Sequence, residues 1–391
     1  MNYILFDGPE RDKLLPLTFT RPVADIRIGI LTIKEKWEVY LNENVSFKTQ
    51  EYLSKKYPTI ISDNNILING SVLPTTELLN KINSLQPGQI LMRGDFEIAI
   101  RFETSDINTA NKSNYQKIDT SIDFFKIDNT WDIFQLNPQV IVDDFTLITK
   151  NRKSSIIPDT NFIIGDPDKI FFEEGAKAEY AFLNTTDGPI YIGKDAEIME
   201  GSKIRGPFAL CEHSTVKMDA KIYSGTTIGP HSKVGGEVNN SVIFGYSNKG
   251  HDGFLGNSVI GEWCNLGADS NTSNLKNTYD FVRIWSYNEN TFISTGLQFC
   301  GLIMGDHSKS GINTMFNTGT VVGVSSNIYG SGFQRNFIPS FMWGGTHGLK
   351  PYNFKKLIEV AKAVFSRRNM EFDQTEEDIF STLFNISHKE K

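Results

Sequence analysis

Cysteine is scarce. Cys211, Cys264 and Cys300 are the only three, too few for a disulfide framework and too widely spaced for a metal knuckle. A reducing compartment suits them, and the cytoplasm is the expected location. Long apolar runs are missing too. No stretch approaches the roughly 18 apolar residues that a membrane-spanning helix needs, so no membrane partner is expected. The opening Met1–Asp7 lacks a basic region followed by an apolar one, and reads as a strand instead of a signal peptide. Excess positive charge is absent as well: 39 Lys and Arg stand against 46 Asp and Glu, a net charge of −7. A nucleic-acid binder would present a basic face, so that class is disfavoured. Histidine is absent from the first half, since all six lie at or beyond His213. Any chemistry before that point must use lysine, arginine and carboxylates.

What is present divides the 391 residues in two. Over residues 1–150, strand-like runs (Tyr3–Phe6, Ile66–Ile68, Gln89–Met92, Phe96–Phe102) alternate with helical ones (Ile33–Leu41, Thr75–Leu85). That alternation predicts an α/β sheet domain. The polar segment 149–170, with two prolines, reads as a connection, taken as 151–185.

The second half carries the strongest pattern. Ile192, Ile198, Ile204, Leu210, Val216, Ile222, Ile228 and Val234 recur every six residues without a miss. A small residue sits two places before most of them: Ala196, Ser202, Ser214, Ala220, Thr226 and Ser232. A period of six fits neither an α-helix nor an alternating strand, but it fits a solenoid. Each hexad forms one flat face of a triangular coil, its aliphatic residue pointing inward. The expected fold class is therefore an α/β (Rossmann-like) domain followed by a left-handed parallel β-helix over 186–340. The register breaks near Asn239–Asn240, so loops are expected to project over 240–256 and 271–300. His213, His231 and His307 read as coil corners and Trp263 as a packing residue. Residues 351–370 and 374–385 predict two helices within 341–391 that cap the last coil.

Inside the broken register lies Gly250-His251-Asp252-Gly253-Phe254, followed by Asn265 and Asn274. These spacings resemble the bifunctional family that acetylates glucosamine-1-phosphate and then couples N-acetylglucosamine-1-phosphate to a uridylyl group. In that family a Gly-His pair carries the base, an aromatic follows three places later, one Asn fourteen places later and a second nine after that. The resemblance implies that His251 is the catalytic base, Asn265 contacts sugar and Asn274 contacts acetyl-CoA. Phe254, Lys221, Lys249 and Lys276 are the candidate substrate-binding residues. The family's phosphate lysine falls at Asn239, and its tyrosine at Phe254. The chemistry suits histidine, because a neutral amine must attack a thioester and a base of pKa near 7 assists it.

In the first half, Leu5-Phe6-Asp7-Gly8-Pro9-Glu10-Arg11 and Pro16-Leu17-Thr18-Phe19-Thr20-Arg21-Pro22-Val23 resemble the family's nucleotidyltransferase signature. Val23 replaces its lysine, and Ser71 stands where its metal-binding Asp is expected. Gly8, Arg11, Lys13, Arg21 and Arg27 are the candidate nucleotide-binding residues. Asp7 and Asp95 are the candidate ligands for Mg²⁺. The resemblance implies a homotrimeric transferase that uses acetyl-CoA, an amino-sugar 1-phosphate and a nucleoside triphosphate such as UTP. Two rivals remain: a hexose-1-phosphate nucleotidyltransferase with the coil as scaffold, and a non-catalytic sugar-nucleotide sensor.

Overall fold

The period of six closes into a three-faced coil. The computed structural model describes residues 1–102 and 112–389. Three sheets of parallel strands wind through its second half. The first face runs from Phe162–Ile164 to Phe254–Gly256. The second runs from Ile170–Phe172 to Phe337–Ile338, and the third from Lys177–Ala178 to the antiparallel turn-back at Gly348–Pro351. The aliphatic residue of each hexad falls in a vertical column. Ile192, Leu210, Ile228, Ile243 and Ile260 stack in register on the second face. Leu183, Ile204, Ile222, Val238 and Leu255 stack on the first. All are essentially buried. The small residues two places earlier are buried too, Ala196, Ser202 and Ser232 among them, and the residue before each turns the chain. Asp195, Gly201, His213, Asp219, Gly225 and His231 all have φ between 53° and 76°. Removing the Ile222 side chain to alanine should cost about 2–5 kcal/mol through lost burial and a residual cavity. A urea unfolding midpoint that does not move would refute this stacking.

Three features differ from the sequence reading. The coil begins at Phe162, inside the expected connection, because Phe172, Ala178 and Leu183 occupy inward stations at uneven spacing. Residues 240–256 remain in the coil as three further strands. Steps of five residues (Val238 to Ile243, Leu255 to Ile260) and a lysine at an inward station, Lys249, conceal the period. The projection expected over 271–300 does form, as the hairpin Arg283–Ser286 with Thr291–Ser294. A helix at Asp132–Thr149 was not foreseen, since Pro138 interrupts its pattern. It groups with the coil: the Asn137 amide donates to Gly225 O (2.8 Å) and to Thr227 Oγ1 (3.0 Å).

The helices Phe354–Ser366 and Gln374–Lys389 form as expected, but they flank the coil's edge. The corner between the second and third faces carries a column of stacked rings: His213, His231, Tyr246 and Trp263, with centroids 4.2–4.8 Å apart. Phe365 covers Trp263 at 4.0 Å, and Phe380 meets His307 edge-on at 4.9 Å. Aromatic pairs of this kind add about 0.5–1.5 kcal/mol beyond their burial, which gives the helices a reason to dock sideways.

The first compact unit comprises Met1–Leu14, Thr20–Ile26 and Leu31–Asn129. Its strands are β1 (Asn2–Phe6), β2 (Ser46–Lys48), β3 (Asn65–Asn69), β4 (Gln89–Arg93), β5 (Phe96–Phe102) and β6 (Gln116–Asp119). They form one mixed sheet in the order β2-β1-β3-β5-β4-β6, with β1 parallel to both neighbours. Thr32 and Glu35 form a capping box at the start of the helix Ile33–Leu41, which fixes where it begins. Leu15–Phe19 and Arg27–Ile30 group with the coil instead.

Candidate functional sites

In the first unit, β1, β2 and β3 run parallel and end together. A ligand in an open α/β sheet binds outside such carboxyl ends. A cleft of about 670 Å³ lies there, lined by Asp7, Gly8, Lys48, Asn69, Asp95 and Lys112 among others. Gly8 leaves room where a side chain would crowd Asn69 Nδ2, 2.7 Å from the Cβ position. Lys48 and Lys112 escaped the sequence reading because no motif holds them. The Lys48 ammonium lies below its ordinary pKa, first through burial and then through repulsion from Lys112. Lys112 Nζ is paired with Glu97 Oε1 at 3.0 Å, and Asp7, Glu10, Asp95 and Glu97 line the same cleft, so Lys48 is the cation there without a carboxylate partner among the described residues.

The expected metal ligands differ in their contacts. Asp7 Oδ1 accepts from Val23 N (2.8 Å), its Oδ2 accepts from Thr49 Oγ1 (2.6 Å), and Arg11 Nε stands 3.4 Å away. Burial raises its carboxyl pKa. Each oxygen accepts one hydrogen bond, which a carboxylate can do while it also meets a cation, and Asp7 lines the cleft. Ser71 is buried, and its N–H and hydroxyl both donate to Asn69 Oδ1 at 2.9 Å. Asp95 lines the cleft. Among the described residues, no group of three or more His, Cys, Asp or Glu side chains could hold a metal.

The expected nucleotide-binding residues do not come together. Only Gly8 lines the cleft. Arg11 is buried and donates to Tyr52 Oη (2.8 Å), and Arg21 is buried beside Asp25 (3.7 Å). Lys13 is exposed. Arg27 belongs to the second unit, where its guanidinium donates to Ile30 O and approaches Cys211 Sγ.

In the second unit, His251 stands exposed at the corner joining the third face, at Asn248–Lys249, to the first, at Phe254–Gly256. Glycine makes this corner possible. Gly236 and Gly253 have φ of 70° and 114°, and a Cβ on Gly253 would collide with the Ser270 carbonyl. Phe254 lies outward on the first face, in register with Glu237 and, one coil below, Lys221. Its backbone N–H donates to Asn271 Oδ1 at 2.9 Å, a partner that sequence reasoning did not single out. The Asn274 amide and the Phe254 ring edge both lie 2.6 Å from the position a Gly256 Cβ would take. Phe254, Gly256 and Asn274 therefore converge, beside His251 along the chain. Asn265 is exposed on the third face, around the corner. Lys221 is exposed, and Lys276 Nζ donates to Phe281 O at 3.0 Å.

Lys249 is placed differently from a phosphate ligand. It occupies the inward station above Val234, is 3% exposed, and donates from Nζ to His251 O at 2.6 Å. Burial lowers its pKa to about 8, opposed by Asp252 and Asp269. In the later coil, Asp306 Oδ1 accepts from Glu262 N at 2.8 Å, so its carboxylate is engaged in the fold.

The sugar nucleotidyl transferase family matches residues 3–153. A bifunctional sugar-1-phosphate nucleotidylyltransferase/acetyltransferase of Sulfurisphaera tokodaii is 27% identical over 307 residues, which is 74% of this chain and 68% of that protein. The bifunctional protein GlmU of Methanocaldococcus jannaschii is 33% identical over 118 residues, 30% of this chain and 26% of its own length. A putative acetyltransferase of Escherichia coli, YaiX, is 26% identical over 147 residues, 37% of this chain and 63% of that one. The chain thus spans about a quarter of the GlmU protein. A solved Francisella novicida UDP-N-acetylglucosamine acyltransferase is similar over 55% of this chain and 72% of its own, at 14% identity and a TM-score of 0.28. The coil is established by its own strand register and not by that likeness. With a family domain and these relatives, the chain is a transferase. Among the described residues no helix is long and apolar enough to cross a membrane.

Proposed function

We propose that the chain works in sugar-nucleotide synthesis, transferring an acetyl group at the coil and a nucleotidyl group at the first unit. The observation that carries the reading is the convergence of Phe254, Gly256 and Asn274, with Phe254 three residues along the chain from the corner at His251, in a chain whose similarity to a nucleotidylyltransferase/acetyltransferase runs through both halves. The donor is acetyl-CoA and the acceptor an amino-sugar 1-phosphate, glucosamine-1-phosphate first among them. His251 takes the proton from the attacking amine. The Asn274 amide meets the acyl end, and Lys221, outward on the same face, meets the phosphate. Lys249 acts from inside the coil by holding the His251 carbonyl. The first faces of neighbouring copies would pack around a three-fold axis, and light scattering should then give a trimer. The substrates are cytoplasmic, and the chain is placed with them.

At the first unit, UTP or another nucleoside triphosphate would lie in the cleft with its phosphates toward Lys48 and Lys112. A phosphate contact from an ammonium contributes about 1.5–3 kcal/mol. Lys48→Met should therefore weaken nucleotide binding about 10-fold or more in a calorimetric titration. Unchanged affinity would move the phosphates elsewhere. A second reading is favoured by Ser71 at the family's acidic position: the cleft binds nucleotide without transfer. One experiment separates the readings. Full-length protein is given acetyl-CoA, glucosamine-1-phosphate, UTP and Mg²⁺, and free thiol and pyrophosphate are followed together. Release of both supports the bifunctional reading. Thiol alone supports acetyl transfer with a binding-only cleft, and neither refutes the proposal.

A further inference from the structure

A second cleft, of about 680 Å³, opens at the corner where the first face of the coil turns into the second. Four amides line it: Gln135 from the helix Asp132–Thr149, Asn240 and Asn257 from successive corners, and Gln298 from the segment inserted in the coil. Phe281 and Phe299 line it too, 59% and 47% exposed. No lining residue carries a charge. The corner geometry explains part of this. Asn240 and Asn257 have φ of 42° and 47°, a region asparagine tolerates better than most residues. It does not explain two phenylalanines left half in solvent beside the same amides. Nor does it explain Asn240 Oδ1, which is buried and accepts no hydrogen bond from the protein. That oxygen is closed to solvent and packs toward Gly225, so a ligand in the cleft would meet it only if the amide turned.

We propose that this cleft binds a neutral sugar ring. A hydroxyl both donates and accepts, and a side-chain amide offers one group for each role. The C–H face of a pyranose is apolar and suits the exposed faces of Phe281 and Phe299. The absence of charge sets the class. No cation is present to meet a phosphate, and no carboxylate to meet an amine, so the ring held here is a hexose or an N-acylated hexosamine. The cleft also touches the first-face site: Asn274 Nδ2 donates to Asn257 Oδ1 at 2.8 Å. An occupant that engages Asn257 therefore reaches the amide beside Phe254 and Gly256. The inference goes beyond acetyl transfer and does not depend on it, because binding is read without turnover.

The test titrates the full chain with N-acetylglucosamine and with glucose, and with glucosamine and inorganic phosphate as charged contrasts. Saturation-transfer NMR and calorimetry report binding. Asn240→Gly keeps the left-handed corner while removing the amide, Phe299→Ala removes one ring, and a melting curve checks that each variant is folded. The neutral sugars should bind, each variant should weaken them about 10-fold, and phosphate should not compete. His251→Ala should leave this binding unchanged. No binding of either neutral sugar to the wild type would overturn the proposal. So would binding indifferent to both cleft variants, or binding that phosphate displaces or His251→Ala abolishes, since the ligand would then sit elsewhere. A wild-type chain that binds the neutral sugars but transfers no acetyl group would count against the acetyltransferase reading alone.

Discussion

His251→Ala is expected to lower thiol release from acetyl-CoA by about 10²–10⁴-fold, the usual contribution of a positioned general base. The side chain is exposed at a corner and absent from the coil's buried core, so its removal should leave the melting temperature nearly unchanged. At acid pH most of the acceptor amine is protonated, and attack needs the neutral form. The wild-type rate should therefore rise with pH as the amine loses its proton. Addition of free imidazole should restore part of the rate if the lost function is proton transfer. A variant as active as wild type would remove His251 from the chemistry, and a variant that fails to fold would point to a structural corner.

The second large effect concerns Lys249. Its ammonium lies inside the coil, where the neighbouring inward stations are aliphatic, and burial has brought its pKa from the ordinary 10.5 to about 8. The folded pKa lies below the unfolded one, so the unfolded chain binds more protons between about pH 8 and pH 10.5. Stability should rise with pH across that window. Below it the full cost applies, about 3 kcal/mol at pH 7 by proton linkage. Lys249→Met fills the same station without the charge. It should raise stability by about 1–3 kcal/mol at pH 7, since removing a buried charge for a packed apolar residue is often favourable. It should also flatten the rise between pH 8 and pH 10.5. The same change frees the His251 carbonyl, which Nζ holds at 2.6 Å. A small misplacement of a catalytic group costs up to about 100-fold, so kcat should fall about 10–100-fold with KM little changed. Lys249→Arg, with no room at that station, should not restore the rate. A methionine variant that is both less stable and fully active would show that the amine neither burdens the coil nor positions the histidine.

A protein that carries a lysine at a cost to stability is consistent with function outweighing packing at that corner.

The coil was legible because its period is short and its interior is selective. Eight consecutive stations from Ile192 to Val234 are aliphatic, and each hexad repeats one local geometry. The spacing of His251, Phe254 and Asn274 was read from the family resemblance instead, because the period slips across that stretch. The helix Ile33–Leu41 was legible from its pattern, and Thr32 and Glu35 cap it locally.

What the chain order could not decide was which way a side chain faces once the period slips. Lys249 reads as a surface cation beside His251. A four-residue step to Val238 and a five-residue step to Ile243 together turn it inward. Arg11 and Arg21 read as phosphate ligands, yet tertiary packing buries them against Tyr52 and Asp25. Lys48 and Lys112, far apart in sequence, come to one cleft because β1 lies between β2 and β3 and their ends open together. Local propensity and short periods set the coil and its corners. Long-range strand order and burial decided which charges meet solvent, because those depend on neighbours the local chain does not contain.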